Sequence, residues 1–92
     1  MLKLEYTAKF KKDFKRAKRQ GRDLEKLKKA LELLANQVEL PQSYRDHALE
    51  GSYRGHRELH IEPDWLLIYR LDEGRLVLAA VRLGSHSELL GL

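Results

Sequence analysis

Leu2, Leu4 and Tyr6 alternate with Lys3 and Glu5, a period of two that predicts a short, half-buried strand. The period then lengthens. Phe10, Phe14 and Ala17 recur at i, i+4 and i+7, which predicts a helix from Ala8 to about Gln20 with Thr7 as its N-cap and Gly21 as its terminator. Leu24, Leu27, Leu31 and Leu34, flanked by Ala30 and Leu33, predict a second helix capped by Asp23 and running to about Gln37. Only Gly21-Arg22 separates the two, so they are expected to form an antiparallel hairpin, and Pro41 stops further helix.

The second half reads as β. Tyr53 to Ile61 is the first run, and Pro63-Asp64 suits a tight turn with proline at its second position. Trp65 to Tyr69 is apolar on both faces, as a central strand requires. Asp72-Glu73-Gly74 reads as a three-residue hairpin loop with Gly74 in the left-handed conformation, Leu76 to Arg82 is the third run, and a tail starts at Gly84. The expected fold is a single α+β domain over residues 1–92, in the order β-α-α-β-β-β. Its N-terminal strand and antiparallel helical hairpin would pack on one face of an antiparallel β-sheet.

Composition narrows the class. A chain of 92 residues with 42% hydrophobic and 35% charged residues holds one modest core. It has no apolar run of the ~20 residues a bilayer demands. The opening Met1 to Tyr6 lacks the apolar run of a secretory leader, so the expected location is cytoplasmic. Without cysteine there is no disulfide, thiol nucleophile or cysteine-based metal site. Charge is unevenly spread. Residues 1–40 hold twelve Lys and Arg against six acids, whereas residues 41–92 hold six against eight, together with all four histidines. Lys9, Lys11, Lys12, Lys15, Arg16, Lys18 and Arg19 crowd the first helix, offset there by Asp13 alone, and make a polyanion such as ribosomal RNA the expected partner.

The strand order brings distant groups together. With the last three strands running up, down and up, the Pro63-Asp64 turn, the exit at His60 and the exit at Arg82 share one end, and His86 follows four residues later. The outer two strands would lie ~10 Å apart, a gap that a ribose and phosphate can span. Two imidazoles, a carboxylate and a guanidinium suit phosphoryl transfer. Metal-free RNA cleavage needs a base for the 2′-OH, an acid for the 5′-oxygen and a cation for the phosphoryl oxygens. Histidine serves either proton role near neutrality, and arginine grips phosphate without losing its charge.

The same residues carry a family likeness. Tyr44-Arg45-Asp46-His47, Leu49-Glu50-Gly51-Ser52-Tyr53-Arg54-Gly55, the stretch His60-Ile61-Glu62-Pro63-Asp64-Trp65 continuing to Tyr69, and Arg82-Leu83-Gly84-Ser85-His86 resemble, in order and spacing, the YafQ-like branch of RelE-type bacterial toxins. The resemblance implies a RelE-like fold and a ribosome-dependent mRNA endonuclease that works in the A site without metal or other cofactor. Its products would be a 2′,3′-cyclic phosphate and a 5′-hydroxyl. A cognate antitoxin would hold it inactive and supply any contact with operator DNA. Carried over, the catalytic set is His47, His60, Asp64, Arg82 and His86. His86 would be the acid, Asp64 or His60 the base and Arg82 the phosphate clamp, with His47 assisting proton transfer or holding phosphate. Trp65, Arg54 and Leu90 are the expected substrate contacts, Leu90 standing where such toxins can carry an aromatic ring.

Taken singly, these residues have plainer readings: Trp65 as core, Asp64 as turn chemistry, Arg82 as a surface ion pair and His60 as part of a solvated face. Their convergence carries the chemistry. His56 has no counterpart in the family pattern and is taken as structural or RNA-facing. His56 and His60 would lie ~13 Å apart along a strand, which excludes that pair as metal ligands. A non-catalytic RNA- or ribosome-binding module is the alternative. A DNA reader fits poorly, because strands follow the hairpin in place of a recognition helix. The narrow apolar stripe of the first helix is needed for the core, which argues against a membrane surface.

Overall fold

The computed structural model describes residues 1–91. Strand β1 (Lys3–Tyr6) leads into helix α1 (Ala8–Arg19) and helix α2 (Leu24–Ala35). A loop with a single 3-10 turn at Gln42–Tyr44 follows, then the two-residue strand β2 (His47–Ala48) and a second 3-10 turn at Gly51–Tyr53. Strands β3 (Arg57–Glu62), β4 (Trp65–Asp72) and β5 (Val77–Gly84) form a meander, and helix α3 (His86–Leu90) closes the described chain. Among the described residues no helix is long and apolar enough to cross a membrane.

The helix caps follow the sequence. The Thr7 hydroxyl accepts from the Phe10 amide at 3.0 Å, and the Asp23 carboxylate from the Glu25 amide at 3.2 Å. Gly21 adopts the left-handed φ of +74° that ends the first helix. The second helix is shorter than expected, ending at Ala35 with Gln37 in a left-handed conformation.

The sheet differs from expectation in direction. Its order is β1-β5-β4-β3-β2, and β1 runs parallel to β5, so the sheet is mixed. Strands joined by tight turns must be antiparallel, but β1 reaches the sheet through two helices, and a period of two reads the same in both directions. The run expected from Tyr53 begins only at Arg57, because Gly55 takes a φ of +87° that breaks the extended backbone. At the β4–β5 turn the left-handed residue is Leu76, not Gly74. The loop is one residue longer than anticipated, and the Asp72 carboxylate closes it by accepting from the Arg75 amide at 3.2 Å.

Both faces of β4 are covered. Trp65, Leu67 and Tyr69 pack with Leu59, Leu78, Ala80 and Leu83 under the helices, around Phe10, Leu27 and Ala30. On the other face Leu66 and Ile68 are fully buried against Leu89, Leu49, Tyr53, Val81 and Leu90. Each such aliphatic side chain contributes about 2 kcal/mol through burial. A register shift in the β4–β5 ladder pairs Ile68 with Arg82 but Tyr69 with Ala80, which leaves Val81 as an extra residue. The bulge turns Leu83 into the helical core and Arg82 to the Ile68 face, against simple alternation.

β1 stops opposite Ala80, so the last turn of β5 would have an open edge. Helix α1 closes it with side chains. The Thr7 hydroxyl donates to the Val81 carbonyl at 2.7 Å, Asp13 accepts the Leu83 amide at 3.0 Å, and Arg16 donates to the Leu83 carbonyl at 3.3 Å. Asp13 is buried among the apolar positions of α1, whereas Phe14 is only partly covered. It binds the Arg82 guanidinium at 2.7 and 3.2 Å and Arg16 at 3.3 Å. In an Asp13→Ala variant two guanidinium groups and an amide lose their acceptor. We expect a loss of about 3 kcal/mol, the low end for breaking a buried ion pair, seen as a lower urea midpoint at unchanged m. A loss below about 1 kcal/mol would mean that water replaces the carboxylate adequately.

Candidate active site

The histidines expected to converge do so in a row. His47 from β2, His60 from β3 and His86 from the start of α3 have ring centroids 6.1 Å and 5.5 Å apart in that order. Each is fixed by local structure. The residue before β2, Asp46, accepts from the Tyr69 hydroxyl and from the Arg57 guanidinium at 3.2 and 3.3 Å, which pins the loop carrying His47. Burial and the Asp46 carboxylate push the Tyr69 phenol well above its usual range, so it stays a donor. The β2–β3 register then sets His47 opposite Glu58. His60 lies two residues farther along the same strand and pairs with Leu66.

Two carboxylates serve the row. Glu58 is 3% exposed, and its Oε1 lies 3.3 Å from His47 Nε2 and 3.7 Å from His60 Nε2. Its other oxygen, like the buried His60 Nδ1, has no hydrogen-bond partner among the described residues. Asp64, in the β3–β4 turn, accepts the His86 amide at 2.9 Å, and its Oδ1 lies 2.7 Å from His86 Nδ1. The amide bond, then the ring, hold the Asp64 carboxyl below the usual range. Asp64 is thus an anion whose lone pairs orient His86.

Helix α3 is itself anchored. Ser85 and Glu88 form a reciprocal capping box, with the Ser85 amide donating to Glu88 at 2.8 Å. That amide, together with Gln20 and Arg16, lowers the Glu88 pKa. Arg16 reaches Glu88 at 3.2 Å, so it ties α1 to α3 and is not available on the cationic helix face. The other six cations of that face, Lys9, Lys11, Lys12, Lys15, Lys18 and Arg19, are exposed.

The remaining expected residues sit differently. Arg82 lies on the Leu66–Ile68 face, but Asp13 holds its guanidinium, and Nη1 is 3.5 Å from the Tyr53 hydroxyl. The hydrogen bond to Asp13 raises its pKa further. Trp65 is fully buried in the helical core with the Arg22 guanidinium 5.4 Å from its ring centroid, so its ring offers no face to a base. Leu90 is partly buried and packs against the second core. Arg54 is exposed in the loop after Tyr53, and its carbonyl lies 3.3 Å from His56 Nδ1.

The anchoring roles of Glu58, Asp46 and Asp13 are not legible in the sequence. Glu58 shares the i, i+2 face of His60, a usable signal, but the importance of that face depends on β2 lying beside it. The same omission affects metal binding. His56 and His60 are unsuitable, yet His47, Glu58 and His60 each offer a ligand atom within 4.8 Å of the others. Two imidazoles and a carboxylate suit a transition metal such as zinc or copper.

Comparison with known proteins gives the chain a family and confirms its fold. Residues 2–91 match the family of bacterial toxins of type II toxin–antitoxin systems typified by YafQ. The chain belongs to the YafQ family. It is 43% identical over 89 residues to the mRNA interferase toxin YafQ of Escherichia coli K12, a match covering 96% of this chain and 95% of that one. A metal-bound toxin from Helicobacter pylori has a TM-score of 0.93 at 43% identity, covering 98% of this chain and all of the other. YafQ in the E. coli DinJ–YafQ complex has a TM-score of 0.89 at 41% identity, covering 99% of this chain and all of that one.

The depressed Asp64 pKa has a defined pH sign in this YafQ-family protein. Its contribution to stability is present above the ordinary aspartate range and is lost as pH falls through the lowered value. In a His86→Ala variant the backbone amide stays and the ring goes. The Asp64 carboxyl titration, followed by NMR, should therefore move part of the way back up; no movement would mean that the ring adds nothing.

Proposed function

We propose that this chain is the toxin of a type II toxin–antitoxin pair and cleaves mRNA in the ribosomal A site by metal-independent acid–base chemistry. The row of three imidazoles braced by Glu58 and Asp64 carries this reading. Asp64 on Nδ1 of His86 leaves Nε2 to deliver a proton, which suits His86 as the acid for the departing 5′-oxygen. Asp64 itself is a weak base because its carboxyl is held in the anionic form. That favours the central His60 as the group that takes the 2′-OH proton, with Glu58 beneath to steady the resulting imidazolium.

The 2′-oxygen attacks phosphorus as its proton passes to His60. The 5′-oxygen leaves with the proton from His86, giving a 2′,3′-cyclic phosphate and a 5′-hydroxyl. Arg82, paired with Asp13, supplies positive charge near the phosphoryl oxygens, and the His47 ring at the end of the row is placed to hold the phosphate or assist proton transfer. The six exposed cations of α1 suit a ribosomal RNA surface, with binding that weakens as salt rises. Ribosome docking would orient the 2′-OH in line with its phosphate, a large positional gain for so weak an acid–base set. The DinJ–YafQ complex supports a cognate antitoxin as the restraining partner, and such a partner would carry any operator contact. Action on ribosomes would be cytoplasmic.

Programmed ribosomes carrying end-labelled mRNA test the reading. Discrete A-site cuts ending in cyclic phosphate are expected, falling at least about 100-fold in His86→Ala, the scale of a lost general acid. Full activity in that variant would remove His86 from the mechanism, and ribosome binding without cuts would make the protein a docking module. Any cleavage of ribosome-free RNA should survive EDTA. Its loss would bring a metal at His47, Glu58 and His60 into the reaction.

A further inference from the structure

β2 pairs with β3 only at Arg57 and Glu58, so the outer edge of β3 beyond them is open. A cavity of about 560 Å³ lies there, walled by α2, by the Pro41–Arg45 segment and by the end of β3. His60 belongs both to this wall and to the histidine row, so the two spaces adjoin. The volume is in the range that takes a small ligand or a single nucleotide. Its chemistry is divided. Leu33, Tyr44 and Ile61 give an apolar side, partly buried against the core at Tyr44 and Ile61. Lys29 and Arg45 are exposed and have no carboxylate partner among the described residues. The one acid in the wall, Glu62, is already matched by Lys26 at 3.0 Å and Arg22 at 3.7 Å, so it does not repel an anion strongly.

Arg45 also has a left-handed backbone, with φ of 48°, held by its amide donating to the Gln42 carbonyl at 2.9 Å. A long side chain rarely persists in that region unless its surroundings fix it there, and such residues gather at binding sites. We propose that this cavity is the subsite for the nucleotide adjoining the cleaved linkage, with Lys29 and Arg45 gripping its phosphate and the Leu33–Tyr44–Ile61 side receiving its base. The inference rests on the nuclease reading above. It gives that reading a path for the RNA strand, from the histidine row over His60 and into the cavity between α2 and the 3-10 turn.

The test combines a Lys29→Ala/Arg45→Gly variant with a message whose neighbouring linkage is an uncharged methylphosphonate. Glycine suits the left-handed φ at position 45, so the backbone is retained while the charge is lost. On programmed ribosomes the double variant should lose about tenfold in kcat/KM on the normal message, as expected for a charged hydrogen bond to phosphate. Wild-type protein should lose a similar factor on the methylphosphonate message, and the variant should lose nothing more. Equal cutting of both messages by wild-type protein, or penalties that simply multiply, would overturn the subsite and leave the nuclease reading intact. Unchanged cleavage by the variant with weakened capture of the antitoxin would assign the cavity to that partner. Wild-type protein that cuts neither message would overturn both readings.

Discussion

The buried carboxylate of Asp13 is the contact on which the far end of the sheet depends. β1 is too short to pair the whole of β5, and the unpaired stretch carries Arg82, Leu83 and Gly84 straight into the helix that begins at His86. A bare edge there would leave buried amide and carbonyl groups unsatisfied, at a cost of several kcal/mol. Asp13 takes the Leu83 amide and two guanidinium groups at once, and Arg16 carries the connection on to Glu88. The approach is close: a Cβ on Gly84 would lie 2.8 Å from Arg16 Nη2. A methyl there would also crowd the ends of the Leu89 and Glu88 side chains, so the clasp between α1 and α3 would have to shift to accept it.

The site inherits this order. Helix α3 is only five residues long and has little stability of its own. It holds because Ser85 and Glu88 cap it, Arg16 clasps Glu88, and Leu89 is buried against Leu66 and Ile68. His86 then meets Asp64 from the opposite hairpin. On the other side Asp46, gripped by Tyr69 and Arg57, fixes the loop that delivers His47 above Glu58. Each imidazole is steadied by a carboxylate, and each of those carboxylates is steadied by a strand or a turn. That hierarchy suits acid–base groups of modest strength, which gain most from fixed geometry.

The two halves of the chain divide the physical tasks. The first half supplies an exposed cationic helix face over an apolar stripe interrupted by Asp13, which ties it to the sheet. The second half supplies titrating groups at one end of a meander. The cavity beside His60 joins them, since α2 provides its lysines and β3 its histidine. Under the proposed function, a strand of RNA would meet fixed charge from one half and proton transfer from the other.

The elements were largely legible because they depend on local pattern: the period of Phe10, Leu27 and Leu31, the caps Thr7 and Asp23, and the doubly apolar run from Trp65 to Tyr69. The convergence of His60, Asp64 and His86 was legible too, since hairpins fix strand direction and so fix which ends meet. What escaped were contacts set by register and by distant partners. The parallel β1, the Val81 bulge that redirects Arg82, the burial of Asp13, the two-residue β2 and the Glu58 link between histidines all depend on which backbone lies alongside. Trp65 shows the same limit, for its ring was a plausible platform until burial closed both faces. The sequence by itself determined which segments become helix or strand and which chemistry gathers at one end. The tertiary structure alone decided which charges are shared, buried or left free, because desolvation and pairing depend on neighbours far away in the chain.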